Sequence, residues 1–286
     1  MTTPTPPLSL MAETRALLER FNVSARKGLG QNFLIDRGVL DKILAAASIS
    51  RDDTVIEVGP GLGILTKALA ERAGKVVAVE IDRDLVALLR QTLAGTPGVE
   101  IVAGDILETP PSSLAGGASY YKVVANLPYY ITSAVLRHFL EAQQQPRTLT
   151  VMVQKEVARQ ITAKPPEMSL LSISVQLFGK PKIVSYIPAG AFHPPPKVAS
   201  AILQIEVLSQ RRLSLEDEKL FFRLARAGFG TRRKQLANAL SGGLDLEKKV
   251  VTELLQKGGI NPERRAETLT IEDWLCLLAV WKVGHV

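Results

Sequence analysis

Cysteine is almost missing from this chain, and histidine and the aromatic residues are scarce. One cysteine, Cys276, stands among 286 residues, so no intramolecular disulfide can form and nothing calls for an oxidising compartment. Its setting, Trp274-Leu275-Cys276-Leu277-Leu278-Ala279, reads as a core thiol rather than a nucleophile or ligand. The three histidines, His138, His193 and His285, are read as structural or surface residues, and no metal is expected. No uninterrupted apolar span approaches the ~20 residues that cross a bilayer. The opening MTTPTPPLSL has no basic region and is broken by prolines, so it resembles neither a signal nor a transit peptide, and a cytosolic location is expected. Acidic residues are also in deficit: 35 Lys and Arg against 28 Asp and Glu give a formal charge of +7, which favours polyanionic partners.

A hydrophobic fraction of 46% is enough for a substantial core. Ser9 to Phe21 and Val39 to Ala47 have helical periodicity, separated by the basic, glycine-bearing stretch Arg26-Lys27-Gly28-Leu29-Gly30-Gln31-Asn32-Phe33. From Thr54 the pattern alternates. Strands are expected at Thr54 to Val58, Lys75 to Ile81, Val99 to Val102, Tyr121 to Ala125 and Thr148 to Val153, with helices at Leu62 to Arg72 and Asp84 to Leu93. That alternation predicts an α/β fold with a mostly parallel sheet. Ile173 to Phe178, Ile183 to Ile187 and Ala201 to Val207 read as further strands forming an antiparallel edge hairpin. Helices are predicted over Leu215 to Gly228, Thr231 to Leu240, Leu246 to Gln256 and Ile271 to Trp281. The expected organisation is an amino-terminal extension over 1–25, an α/β domain over 26–208 and a small all-α domain over 209–286.

Gly59-Pro60-Gly61-Leu62-Gly63 falls at a strand-to-helix junction, where missing side chains let the backbone turn tightly and approach a ligand. The next strand ends in Glu80-Ile81-Asp82, placing Glu80 to accept hydrogen bonds from both hydroxyls of a ribose. Dinucleotide enzymes use G-x-G-x-x-G, and here the third glycine comes one position early, which favours an adenosyl-sulfonium ligand without a pyrophosphate. Asp105 ends the third strand with a carboxylate suited to an adenine amine, and Asn126 ends the fourth. The plain alternative makes Glu80 and Asp105 ordinary turn and cap residues.

Taken in order, these motifs resemble the small-subunit ribosomal RNA adenine dimethyltransferase family. The resemblance rests on Gly30 to Asp36, Glu57 to Gly63, Glu80 to Asp82, Asn126 to Tyr129, Gln154 to Ala158 and Phe192 to Val198, with Thr231 to Lys234 and Arg265 to Leu269 in the helical tail. It implies a Rossmann-like methyltransferase domain. It also implies S-adenosylmethionine held by Gln31, Asn32, Leu34, Gly59, Gly61, Glu80, Ile81, Asp105, Ile106 and Asn126. The implied reaction converts two neighbouring adenosines of 16S rRNA to their N6,N6-dimethyl forms, within a 30S-like particle. Asn126 and the Leu127 carbonyl would accept the amine hydrogens on a turn stiffened by Pro128, while Tyr129 and Phe192 would clamp the base. Arg26, Lys27, Lys197, Arg223, Arg226, Arg232, Arg233 and Lys234 are the basic side chains expected to meet RNA. Ala163 to Ser169 departs from the glycine- and tyrosine-containing turn common in the family, so RNA contacts there are not carried over. Two rivals stand beside this reading: a large-subunit (23S) adenine methyltransferase of the erythromycin-resistance type, and a non-catalytic RNA-binding assembly factor. A monomer is expected.

Overall fold

The structure is a computed structural model that describes residues 9–231 and 233–284. Its helices are α1 (Leu10–Arg20), α2 (Arg37–Ala47), α3 (Ile64–Ala70), α4 (Arg83–Thr92), α5 (Pro111–Ala115), α6 (Thr132–Leu140), α7 (Lys155–Thr162), α8 (Leu170–Gln176), α9 (Leu215–Phe229), α10 (Leu236–Leu244), α11 (Lys248–Lys257) and α12 (Ile271–Gly284). Its strands are β1 (Phe33–Leu34), β2 (Thr54–Val58), β3 (Lys75–Glu80), β4 (Val99–Ala103), β5 (Lys122–Asn126), β6 (Thr148–Gln154), β7 (Gly179–Ile187), β8 (Phe192–His193) and β9 (Ser200–Val207).

Seven strands form one sheet in the order β4-β3-β2-β5-β6-β9-β7. The first five are parallel, and β9 runs antiparallel to β6. Continuous apolar runs such as Val123-Val124-Ala125, each fully buried, suit strands covered on both faces. Side-chain caps fix several helix starts: Asp36 accepts from Val39 N on α2, Asp82 from Asp84 N on α4, and Ser214 from Asp217 N on α9. After β2 the chain crosses toward β3 and β4, whereas after β5 it crosses to β6. The reversal lies between β2 and β5, so their carboxyl ends frame a crevice.

Two compact units emerge, one from residues up to Ala158 plus Lys182–Val207, the other from Arg159–Pro181 plus the chain from Leu208 onward. The expected division at 208 therefore misplaces Arg159–Pro181, which belongs with the helices. The expected strand Ile173 to Phe178 is helix α8. Ser169 and Ser172 form a reciprocal capping box, and that local nucleus outweighs the strand preference of Ile173 and Val175. Helix α10 starts at Leu236 rather than Thr231, and ahead of it Lys234 N donates to Thr231 O. Cys276 is an exposed thiol, not a core one: it lies on the outer side of α12, donating to Gly258 O at 3.4 Å, while Trp274 turns inward. Among the described residues, no helix is long and apolar enough to cross a membrane and no cluster of His, Cys, Asp or Glu could hold a metal ion.

In the helical unit Trp274 is fully buried and stacks on Phe229 with centroids 5.7 Å apart. Gly228 makes room for it, since a Cβ there would lie 2.4 Å from Trp274 Cη2. Gly228→Ala gains ~1 kcal/mol of helix propensity but overpacks the indole, which typically costs ~1–3 kcal/mol. The expected outcome is a lower urea midpoint; a midpoint at or above wild type would show that Trp274 moves aside freely.

Candidate active site

The crevice between the ends of β2 and β5 is lined by the glycine loop, the end of β3, Gly104 to Ile106, the turn Asn126 to Ile131, and a strap running from Leu29 to Leu34. Every residue expected at a cofactor, namely Gln31, Asn32, Leu34, Gly59, Gly61, Glu80, Ile81, Asp105, Ile106 and Asn126, borders this one cavity. Gly59 and Gly61 have φ of +66° and +59°, and a Cβ on Gly61 would sit 3.3 Å from the Phe33 ring. Only glycine serves at both without strain.

Glu80, only 5% exposed, accepts from Asp82 N at 3.0 Å through Oε1 and from Gly61 N at 3.2 Å through Oε2. Burial pushes its carboxyl above the usual range, and those two N–H groups restrain the rise. Each oxygen keeps one lone-pair direction, the pair of acceptors that vicinal hydroxyls need. Asp105 Oδ1 accepts from Leu107 N at 2.9 Å, which leaves Oδ2 without a partner among the described residues. Ile81, half exposed, and the buried Ile106 border the space near Asp105 as apolar surface for a flat ring.

The strap is tied down at several points. Gln31 Oε1 accepts from Arg26 N at 2.8 Å, and Gln31 Nε2 donates to Asp82 Oδ2 at 3.0 Å. The Arg26 guanidinium pairs with Asp82 Oδ1 at 3.2 Å and with Asp84. Arg26, expected at RNA, pairs with two carboxylates while its side chain stays half exposed, and Gln31 bonds to the strap's own anchor. Asp82 is the residue that reading Glu80-Ile81-Asp82 for its first carboxylate alone passes over: one buried side chain caps α4 and anchors the strap. At the other end β1 pairs with β8, Leu34 opposite Phe192.

Asn126 closes the floor. Its Nδ2 donates to the backbone carbonyl of Asn32 at 3.0 Å. A carbonyl only accepts, so this bond fixes the amide orientation and leaves Oδ1 as the acceptor, unpartnered among the described residues. Leu127 N donates to Met152 O at 3.2 Å, pinning the following peptide to β6, and Pro128 holds φ at −57°. The Tyr129 hydroxyl meets Ser200 Oγ at 2.7 Å, and burial raises its pKa, keeping a neutral phenol at the cavity wall. Ser200, fully buried at the start of β9, carries no recognisable sequence signal for this role.

Phe192 does not join this group. It is 2% exposed within the core cluster around α2 and is not among the residues lining the cavity, although Leu34, opposite it in the β1–β8 pair, is. His138 Nε2 lies 3.0 Å from Thr109 O with its ring edge-on to Phe139, and His193 sits in the β1–β8 pair. His285 and Arg232 lie outside the described residues, and the Lys27 side chain is likewise not described. Lys197, Arg223, Arg226, Arg233 and Lys234 are exposed; Lys197 belongs to the α/β unit and the other four to the helical unit.

The sequence model of the family described as "Ribosomal RNA adenine dimethylase" matches residues 22–281. A Dehalococcoides mccartyi protein named "Ribosomal RNA small subunit methyltransferase A" is 54% identical over 94% of this chain and 93% of its own. An Alkaliphilus oremlandii protein of the same name is 43% identical over 93% and 95%. Among solved structures, a dimethyladenosine transferase from Plasmodium falciparum superposes with a TM-score of 0.77 at 27% identity, covering 89% of this chain and 98% of that one. The 23S rRNA methyltransferase ErmE gives 0.70 at 29% identity, covering 88% and 100%. With a match running nearly end to end and close relatives spanning the same length, the chain belongs to the ribosomal RNA adenine dimethylase family.

Proposed function

We propose that this enzyme transfers methyl groups from S-adenosylmethionine to N6 of two adjacent adenosines near the 3′ end of 16S rRNA, on a 30S-like particle, yielding N6,N6-dimethyladenosines. The observation that carries the reading is the fixed amide of Asn126, whose free Oδ1 borders the same cavity as Glu80. The 23S alternative has a fold of the same kind in ErmE, so fold alone does not separate the two. The small-subunit reading is supported by the relatives at 43–54% identity, which carry that substrate in their names.

The cavity residues suit the cofactor: Glu80 for the ribose hydroxyls, Asp105 Oδ2 for the adenine amine, Ile81 and Ile106 for its faces, and the side-chain-free Gly59 and Gly61 for close backbone approach. S-adenosylmethionine, when bound, supplies an electrophilic methyl carbon on a good leaving group. The protein's part is to prepare the nucleophile. An adenine N6 lone pair is delocalised into the ring, and Asn126 Oδ1 with the Leu127 carbonyl would accept its two hydrogens and favour a pyramidal nitrogen. Holding that nitrogen in line can contribute ~7–11 kcal/mol in well-oriented systems. Tyr129 offers a flat face to an extruded base, worth ~1–3 kcal/mol. With Phe192 in the core, the opposite face has no aromatic clamp from that residue. For the second transfer the monomethylated amine has one hydrogen fewer, so one of the two acceptors must become dispensable.

Asn126→Ala is expected to lower methyl transfer by about 100-fold or more, the usual scale for removing a preorganised polar group, while RNA retention in filter binding stays near wild type. Equal loss of both would refute the division of labour. Tyr129→Ala should reduce kcat/KM more than Tyr129→Phe, which loses only the Ser200 hydrogen bond; equal losses would argue against stacking. Arg26→Ala is expected to weaken cofactor binding in calorimetry through the loosened strap while leaving affinity for RNA unchanged, and the opposite pattern would restore Arg26 as an RNA contact. Methyl incorporation into small subunits lacking the modification, with large subunits as the control, separates the 16S and 23S readings.

A further inference from the structure

Of the three carboxyls that border the cavity, those of Glu57, Glu80 and Asp105, only that of Glu57 has an oxygen sealed from solvent with no hydrogen-bond partner among the described residues. Glu80 has its two backbone N–H partners, whereas Glu57 on β2 is 1% exposed and its Oε2 is sealed from solvent with no hydrogen-bond partner. The Thr66 hydroxyl on α3 lies near Glu57 and is itself buried without a well-formed hydrogen bond. The charged groups around Glu57 offer no relief. On β3 the nearest is Glu80, of like sign. On β5, whose Val124 pairs with Glu57, Lys122 Nζ is drawn away to Asp53 at 2.9 Å and Ser48 O at 2.7 Å. On α3, Lys67 is exposed, and ahead of the strap Arg26 is held by Asp82 and Asp84. Burial pushes the Glu57 carboxyl up to about 8, the Thr66 hydroxyl tempering the rise and the Glu80 charge adding to it.

A buried acid with no cation facing it keeps its proton, and a cation arriving beside it removes the reason to do so. We propose that Glu57 is the cation-receiving group of this cavity, binding as the neutral acid in the free enzyme and releasing its proton to solvent when a ligand carrying an ammonium and a sulfonium occupies the space beside it. The balance is simple: the carboxyl O–H breaks, the proton goes to buffer, and the carboxylate left behind faces the ligand's positive charge. This rests on the adenosyl-sulfonium reading of the cavity.

Calorimetric titration of the full chain with S-adenosylmethionine at pH 7, in phosphate and in Tris at equal ionic strength, reads the proton directly. With an acid constant near 8, about nine-tenths of Glu57 is protonated at pH 7, so the two buffers should report release of more than about half a proton per site. In Glu57→Gln the buffer difference should vanish and affinity should fall about tenfold. Saturable binding with equal heats in both buffers overturns the proposal and leaves the cavity reading standing, as does a buffer difference that survives in Glu57→Gln. No saturable binding at all overturns the cavity reading and the proposal together. Denaturant unfolding supplies a ligand-free check. The folded value lies above the ordinary 4.5, so the stability associated with the protonated form is full below 4.5 and is lost as pH rises through about 8. Wild type should lose stability relative to Glu57→Gln across that window, and parallel profiles would overturn the proposal.

Discussion

The hydrogen bond from Asn126 Nδ2 to the Asn32 carbonyl joins a strand end to the strap that roofs the cavity. Without it the amide could turn either its donor or its acceptor away from the strap; with it, the oxygen is the atom left over. The same bond seats the strap over the glycine loop, where Phe33 packs against Gly61. Much of the remaining geometry follows from keeping those two segments together: β1 on β8, Gln31 on Asp82, and the peptide of Leu127 on β6. One contact therefore sets both the polarity of the floor and the closure of the roof.

The parallel half of the fold was legible because its signals are local and redundant. β-branched runs at Thr54, Lys75 and Lys122 each end at a turn or helix signal, and periodicity alone separates them from the intervening helices. The residues expected at a cofactor come to border one cavity for the same reason, since an open α/β sheet brings its strand ends to one crevice. Glu80, Asp105 and Asn126 thus meet despite their distance in sequence.

Features set by tertiary packing escaped. The Phe192 ring is buried within the core cluster around α2, a matter of packing that its proline-rich surroundings do not announce. Arg26 lies in a basic stretch, and the carboxylates it pairs with, Asp82 and Asp84, are far along the chain. In helix α8 the serine capping box outweighs the strand preference of two β-branched residues, and that balance is not visible in the residue types alone. In the helical tail, Cys276 and Trp274 are two residues apart, and only the packing of α12 decides which of them faces solvent.

Ser200 opens β9 opposite Gln154, and through its hydroxyl it holds Tyr129. Strand pairing moves in whole residues, and a one-residue slip inverts every side chain. An insertion early in β9 would therefore exchange Ser200 for a neighbour pointing to the other face, and the aromatic platform would lose its rest although no cavity residue had changed. Lengthening the chain beyond Val207 leaves that register alone. Strand β9 thus behaves as a ruler for the floor of the pocket, tolerant of growth at one end and intolerant at the other.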